Sequence, residues 1–227
     1  MADNVICYTE MEKERLNNLL NVDYDKITVI PNGVDTDLFC PNIDKYLEDE
    51  SPKILWVGRL VPGKGVEYLI RSIGILAKNI PKIKVLLVGE GPQKSKLLDL
   101  IANLKLKENI SMLDHVENKK MPIIYQKSDV FVLPSLNEGV PRTILEAMSC
   151  GIPVVCSEIP HLSSIIDECG IMVPQKDAVA MAGAIHCIIS DSDHANKLGR
   201  NGRKRVARNY SWANTVEKTV ALYKGLI

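Results

Sequence analysis

"KILWVGRLVPGKGVEYLIRSIGILAKNIPKIKVLLVGE", residues 53–90, decides the fold. It opens on an apolar strand, "KILWVG" (53–58). It continues into "GVEYLIRSIGILAKN" (65–79), whose apolar positions recur at helical spacing, and closes on a second apolar strand, "KVLLVGE" (84–90). A strand that is apolar throughout has both faces covered, and strands of that kind alternating with helices indicate a parallel sheet. The alternation runs on. "PQKSKLLDLIANLKL" (92–106) starts with a proline suited to a first helical turn. "NISML" (109–113) is a strand and "KKMPIIYQKS" (119–128) a short helix. "DVFVLPS" (129–135), "PVVCS" (153–157) and "GIMVP" (170–174) are strands, with helices at about 141–150, 160–168 and 177–190. The expected fold class is α/β: a doubly wound, mostly parallel, Rossmann-like sheet of about six strands with right-handed crossovers. Such sheets bind ligands outside the carboxyl ends of their strands, which makes the residues just after each strand the candidates.

The flanks read differently. "NVICYT" (4–9) is a strand with no preceding partner, and Thr9 with Glu12 makes a capping-box pattern for a helix at 10–20. "KITVIPNG" (26–33) is a strand ending in a turn. Residues 1–41 therefore look like the remnant and hinge of another, N-terminal domain. Residues 42–52 form an acidic linker, 53–209 the main domain, and 210–227 a terminal helix with Ser211 as N-cap candidate.

Composition narrows the function. Among 227 residues, 46% are hydrophobic, and 28 Lys and Arg balance 28 Asp and Glu. No global field favours nucleic acid or an anionic membrane, so a phosphate site must be local. Aromatics make up only 5%, too few for a base-stacking platform. The six cysteines, Cys7, Cys40, Cys150, Cys156, Cys169 and Cys187, form no C-x-x-C pair. They read as buried free thiols of a cytoplasmic protein, not as a disulfide frame or a zinc site. There is no signal-peptide pattern and no apolar run of membrane-spanning length.

The strand exits carry the chemistry. "GRLVPGKG" (58–65) brackets Arg59 and Lys64 between glycines before a helix. It is either a diphosphate clamp, since loop amides and helix N-termini attract phosphate, or a solvated loop with two surface cations. "GEGP" (89–92) offers Gly89 and Gly91, but Lys94 breaks the dinucleotide fingerprint. It is a strand-to-helix turn or a place of close backbone approach to a ligand. His115 stands alone in a loop, and the remaining histidines share no ligand spacing, so no metal site is indicated. Three D-x-D patterns, Asp23/Asp25, Asp35/Asp37 and Asp191/Asp193, lie where aspartate is favoured as a turn or cap residue. In "NEGVPRTILEAMSCGIPVV" (137–155), Glu138 precedes a helix that Gly151 ends, and Glu146 is on its second turn. They are either a dipole partner and a capped core residue, or two carboxylates held for a ligand.

"VGRLVPGKGVEYLI", "LLVGEGP", "SDVFVLPSLNEGVPRTILEAMSCGIPVV" and "PNGVDTDLF" together resemble the large retaining GT-B glycosyltransferase family that includes sucrose and glycogen synthases and mannosyltransferases. The matches follow family order over roughly residues 3–220. The resemblance implies that 53–209 is the domain binding a nucleotide-sugar donor (a UDP-, GDP- or ADP-sugar), without metal or further cofactor. It implies that Arg59 and Lys64 hold the diphosphate, Glu138 the sugar hydroxyls and Glu146 the ribose diol. It adds main-chain contacts from Gly139, Val140, Pro141, Arg142 and Thr143, base contacts near Val116, and backbone approach at Gly89 and Gly91. The family often has an aromatic residue and then glycine where this chain has Val140 and Pro141, and Pro141 removes a backbone N–H. The acceptor, a glycan or lipid-linked sugar, would be held by an absent N-terminal domain. The isolated chain is thus expected to bind nucleotide without transferring sugar, with membrane contact at most peripheral. The alternatives are a non-catalytic nucleotide-binding or partner-docking module and a same-fold epimerase or hydrolase of nucleotide sugars.

Overall fold

The computed structural model describes residues 2–42 and 51–226. The linker expected at 42–52 falls largely on residues outside the described ones. Among the described residues two parallel sheets are present. The smaller pairs β1 (Val5–Cys7) with β2 (Ile27–Val29). The larger has six strands, β3 (Lys53–Val57), β4 (Lys84–Val88), β5 (Ile110–Leu113), β6 (Val130–Leu133), β7 (Val154–Ser157) and β8 (Gly170–Val173). They lie in the order β5-β4-β3-β6-β7-β8. Every pairing is parallel, as the continuous apolar runs require.

Alternation along each strand feeds two cores. Ile54 and Trp56 of β3, with Val130 and Val132 of β6, face a cluster that holds Leu69 and Ile73 of α2 (Val66–Leu76) and Leu97 of α3 (Lys94–Asn103). Met181 and Ile185 of α7 (Ala178–Ser190) complete that side. Leu55, Phe131 and Cys156 point the other way. They meet Tyr125 of α4 (Met121–Gln126), Ile144 and Leu145 of α5 (Arg142–Ser149), Ile165 of α6 (Ser163–Ile166) and Val206 of α8 (Ser192–Asn209). The helix expected at 160–168 is shorter than its pattern, because only 163–166 are α-helical after a 3-10 turn at Pro160–Leu162.

The ends of the helices follow local rules. The α1 helix (Glu10–Leu20) is capped by Thr9, and Glu12 reaches back to the Tyr8 amide at 2.8 Å, one residue earlier than an ideal capping box. The α5 helix ends with Gly151 N–H on Met148 O and Ile152 N–H on Ala147 O, the Schellman pairing that satisfies its last carbonyls. Ser211 caps α9 (Trp212–Gly225). Asp23, Asp35 and Asp191 each accept backbone N–H groups two or three residues on, so all three D-x-D patterns serve turns and caps.

The segment after β2 is fastened to the junction of α8 and α9. Val34 N–H donates to Tyr210 O at 2.8 Å, and Trp212 N–H donates to Val34 O at 2.9 Å. Of the six cysteines, Cys7, Cys150, Cys156 and Cys169 are buried. Cys40 is half-buried, and Cys187, expected in the interior, is exposed because it falls on the outer face of α7.

Candidate functional site: a cleft where the strand order reverses

In sequence order β3 leads to β4 on one side and β6 lies on the other, so the winding reverses between β3 and β6. That reversal opens a crevice at the carboxyl ends of the strands. Three exit loops are stitched together there. Gly58 N–H donates to Val88 O, Leu60 N–H to Glu90 O, and Gly89 N–H to Leu113 O. Gly89 has φ +140°, and a Cβ on it would sit 1.8 Å from Gly58 O. The close approach at "GEGP" is therefore made in the first place to the neighbouring loop, and it needs glycine.

The loops and the start of α5 enclose a cleft of about 700 Å³, within the usual range for small-molecule sites. Arg59, Gly89, Gly91, Val116, Arg142, Thr143 and Glu146 all line it. Arg59 is exposed, and its guanidinium makes no hydrogen bond or ion pair among the described residues. The first-turn amides of Arg142 and Thr143 find no backbone acceptor either, which leaves a small positive field at the mouth of α5.

Glu146 faces the same space from the second turn of α5. It is 7% exposed, accepts a 2.8 Å hydrogen bond from Tyr125 Oη, and has Arg142 Nη2 at 4.0 Å. Burial raises its carboxyl above the ordinary value, against the opposing effects of the Tyr125 hydrogen bond and the Arg142 charge. Burial, and then the adjacent Glu146 charge, also push the Tyr125 hydroxyl up, so it remains a donor. Sequence reasoning missed Tyr125. The available signal was one tyrosine in the otherwise apolar "MPIIY", because a buried hydroxyl needs a partner.

The other expected residues gather elsewhere. Lys64 Nζ lies 2.6 Å from Glu138 Oε1, which also accepts from Ser135 Oγ at 2.6 Å. Neither Lys64 nor Glu138 lines the cleft. The two glutamates thus stand in separate settings, Glu138 in the loop before α5 against Lys64 and Glu146 on α5 against Tyr125. Val140 is buried, its carbonyl accepting from Asn32 Nδ2 at 3.4 Å. Pro141 is the N-cap of α5 in extended conformation rather than an early helical residue. Gly139 is exposed, with open space around it. Among the described residues no group of three or more His, Cys, Asp or Glu is placed to hold a metal ion.

The family profile described as glycosyl transferases group 1 matches residues 42–205. The chain belongs to that family. A second profile, glycosyltransferase family 4, matches residues 1–38. The chain is 33% identical to an uncharacterized glycosyltransferase of Methanocaldococcus jannaschii, over 97% of its own length and 59% of that protein's. It is 32% identical to the UDP-Gal:alpha-D-GlcNAc-diphosphoundecaprenol alpha-1,3-galactosyltransferase of Escherichia coli, over 98% of its length and 60% of the relative's. Among solved structures, sucrose-phosphate synthase from Thermosynechococcus elongatus superposes with a TM-score of 0.89 at 30% identity, covering 100% of this chain and 59% of that one. The chain thus spans about three fifths of these relatives.

Proposed function

We propose that this chain carries the nucleotide-sugar-binding part of a retaining, metal-independent glycosyltransferase, which moves a sugar from a nucleoside diphosphate to an acceptor hydroxyl. One observation carries the reading. An unpaired guanidinium, free helix amides and a buried carboxylate converge on one cleft at the reversal of a parallel sheet. The first two suit a diphosphate, and a carboxylate accepting two hydroxyls suits a ribose diol. In the reaction a bond forms between the acceptor oxygen and the sugar's anomeric carbon, and the bond from that carbon to the phosphate oxygen breaks. The electron pair leaves with the phosphate, whose oxygen takes up the proton of the acceptor hydroxyl. Arg59 and the α5 amides supply fixed positive charge where that negative charge develops, and Lys64 adds its own once it leaves Glu138. Glu138 meets the sugar hydroxyls.

We assign residues 53–209 to this donor domain and residues 1–41 to the hinge and the neighbouring domain, with the 210–227 helix returning toward it. The hydrogen bonds of α9 to the 31–34 segment support that return. The acceptor, a glycan or lipid-linked sugar, belongs to the same proposal, as does a reducing cytoplasmic setting suited to six free thiols. Among the described residues no helix is long and apolar enough to cross a membrane, so any membrane contact would be peripheral.

Calorimetry of the chain with UDP, GDP, ADP and NAD, each with and without EDTA, tests the reading. One nucleoside diphosphate binds, with unchanged affinity under chelation. Preference for NAD, or loss of all binding on chelation, contradicts it. Glu146→Gln weakens that binding by about 1–3 kcal/mol, the size of a hydrogen bond to a charged group.

A further inference from the structure

We infer that Ser135 is a positioning residue that holds the Glu138 carboxylate while Lys64 changes partner from Glu138 to a bound diphosphate; this rests on the nucleotide reading above. The loop of Lys64 is clamped to the loop of Ser135. Leu136 N–H donates to Gly63 O at 2.9 Å. A Cβ on Gly65, whose φ is +61°, would lie 2.1 Å from Pro134 O. Gln175 Nε2 fixes the far side of the same loop by donating to Leu136 O at 3.1 Å. Lys64 is thereby delivered onto Glu138 rather than toward the cleft, and its charge is already neutralised in the ligand-free chain. To serve a phosphate the ammonium must leave a carboxylate whose side chain is only 9% exposed. A carboxylate stripped of donors at such a site is strongly disfavoured. Ser135, fully buried, donates to the same Oε1 at 2.6 Å. It keeps Glu138 aimed and hydrogen-bonded when Lys64 departs.

The test is a set of calorimetric titrations with the nucleoside diphosphate that the wild-type chain binds. Ser135→Ala binds it about five- to tenfold more weakly, the equivalent of about one hydrogen bond, while Ser135→Thr stays within about twofold of wild type. In a Lys64→Met background Ser135→Ala has no further effect. Glu138→Gln, which releases Lys64 without touching Ser135, binds the diphosphate at least as tightly as wild type and serves if Ser135→Ala does not fold. Wild-type affinity in Ser135→Ala, a loss that persists without Lys64, or weakened binding in Glu138→Gln overturns the inference and leaves the nucleotide reading standing. Failure of the wild-type chain to bind any nucleoside diphosphate overturns both.

Discussion

Glu146 illustrates how a site residue is held against stability. Burial raises its carboxyl above the ordinary 4.5. A folded-state value above the unfolded one favours folding only while the group is protonated. That contribution is complete below the ordinary value and is lost as pH rises through the raised one. At neutral pH the ionised side chain is therefore a burden, relieved in part by Tyr125 and Arg142. Glu146→Gln is expected to keep or raise the melting temperature at pH 7, and the advantage over wild type should shrink as pH falls toward 4. Thermal denaturation across that range checks this, and a variant clearly less stable at pH 7 contradicts it. Nucleotide affinity runs the opposite way. Wild type loses affinity on acidification as Glu146 takes up its proton, whereas Glu146→Gln keeps only the ligand's own phosphate titration. The sequence placed Glu146 on the correct turn of α5. The hydrogen bond that singles it out from an ordinary core glutamate spans 21 positions to Tyr125, and no local pattern encodes it.

At the scale of elements, α8 does more than cover the sheet. Arg203 sends Nη1 toward the carbonyls of Thr36, Phe39 and Ser149 at 3.0 to 3.1 Å. It ties the 36–39 segment to the end of the helix that carries Glu146. Arg203→Met removes a charged donor from those carbonyls and should destabilise by about 2 kcal/mol, or about 4–8 °C in melting temperature for a chain of this size. An unchanged melting temperature would mean that water replaces the guanidinium without loss. On the outer face, Lys197, Arg200, Lys204 and Arg208 are all exposed, the stripe visible in "KLGRNGRKRVARN". Leu198 and Val206, the nearest apolar residues, are buried in the core and cannot insert into lipid. Sedimentation with anionic vesicles should therefore be weak and abolished by salt; strong pelleting at physiological ionic strength contradicts that. The strands of the large sheet were legible because each is apolar on both faces, and the helices because their spacing is periodic. The strands at 4–9 and 26–33 were read from their patterns, but their pairing was not, because the ladder from Val5 to Ile27 closes across the intervening α1.

At the scale of the whole molecule, three hollows among the described residues are candidates for the ligand, and their place in the fold separates them. One of about 430 Å³ lies between Tyr8, Met11, Pro160 and Tyr210 and has no cation in its lining. Another of about 440 Å³ has Arg200, Arg203 and Lys204, but it sits by Cys150 and Gly151, at the amino end of β7. Of these three, the cleft by Arg59 and Glu146 joins positive charge to the carboxyl ends of the strands. The sequence identified the loops of that cleft because they follow apolar strands directly. It grouped Lys64 and Glu138 with them because chain proximity cannot show that these two pair with each other. The central claim, that this cleft receives a nucleoside diphosphate, is tested most directly by following backbone amide resonances of the isotope-labelled chain during titration with UDP and, in turn, GDP and ADP. The account predicts that one of them shifts residues 58–60, 89–91, 114–116 and 142–146 together, with residues 8–11 and 196–204 unmoved. Shifts confined to either of the other hollows, or none with any nucleotide, would contradict it.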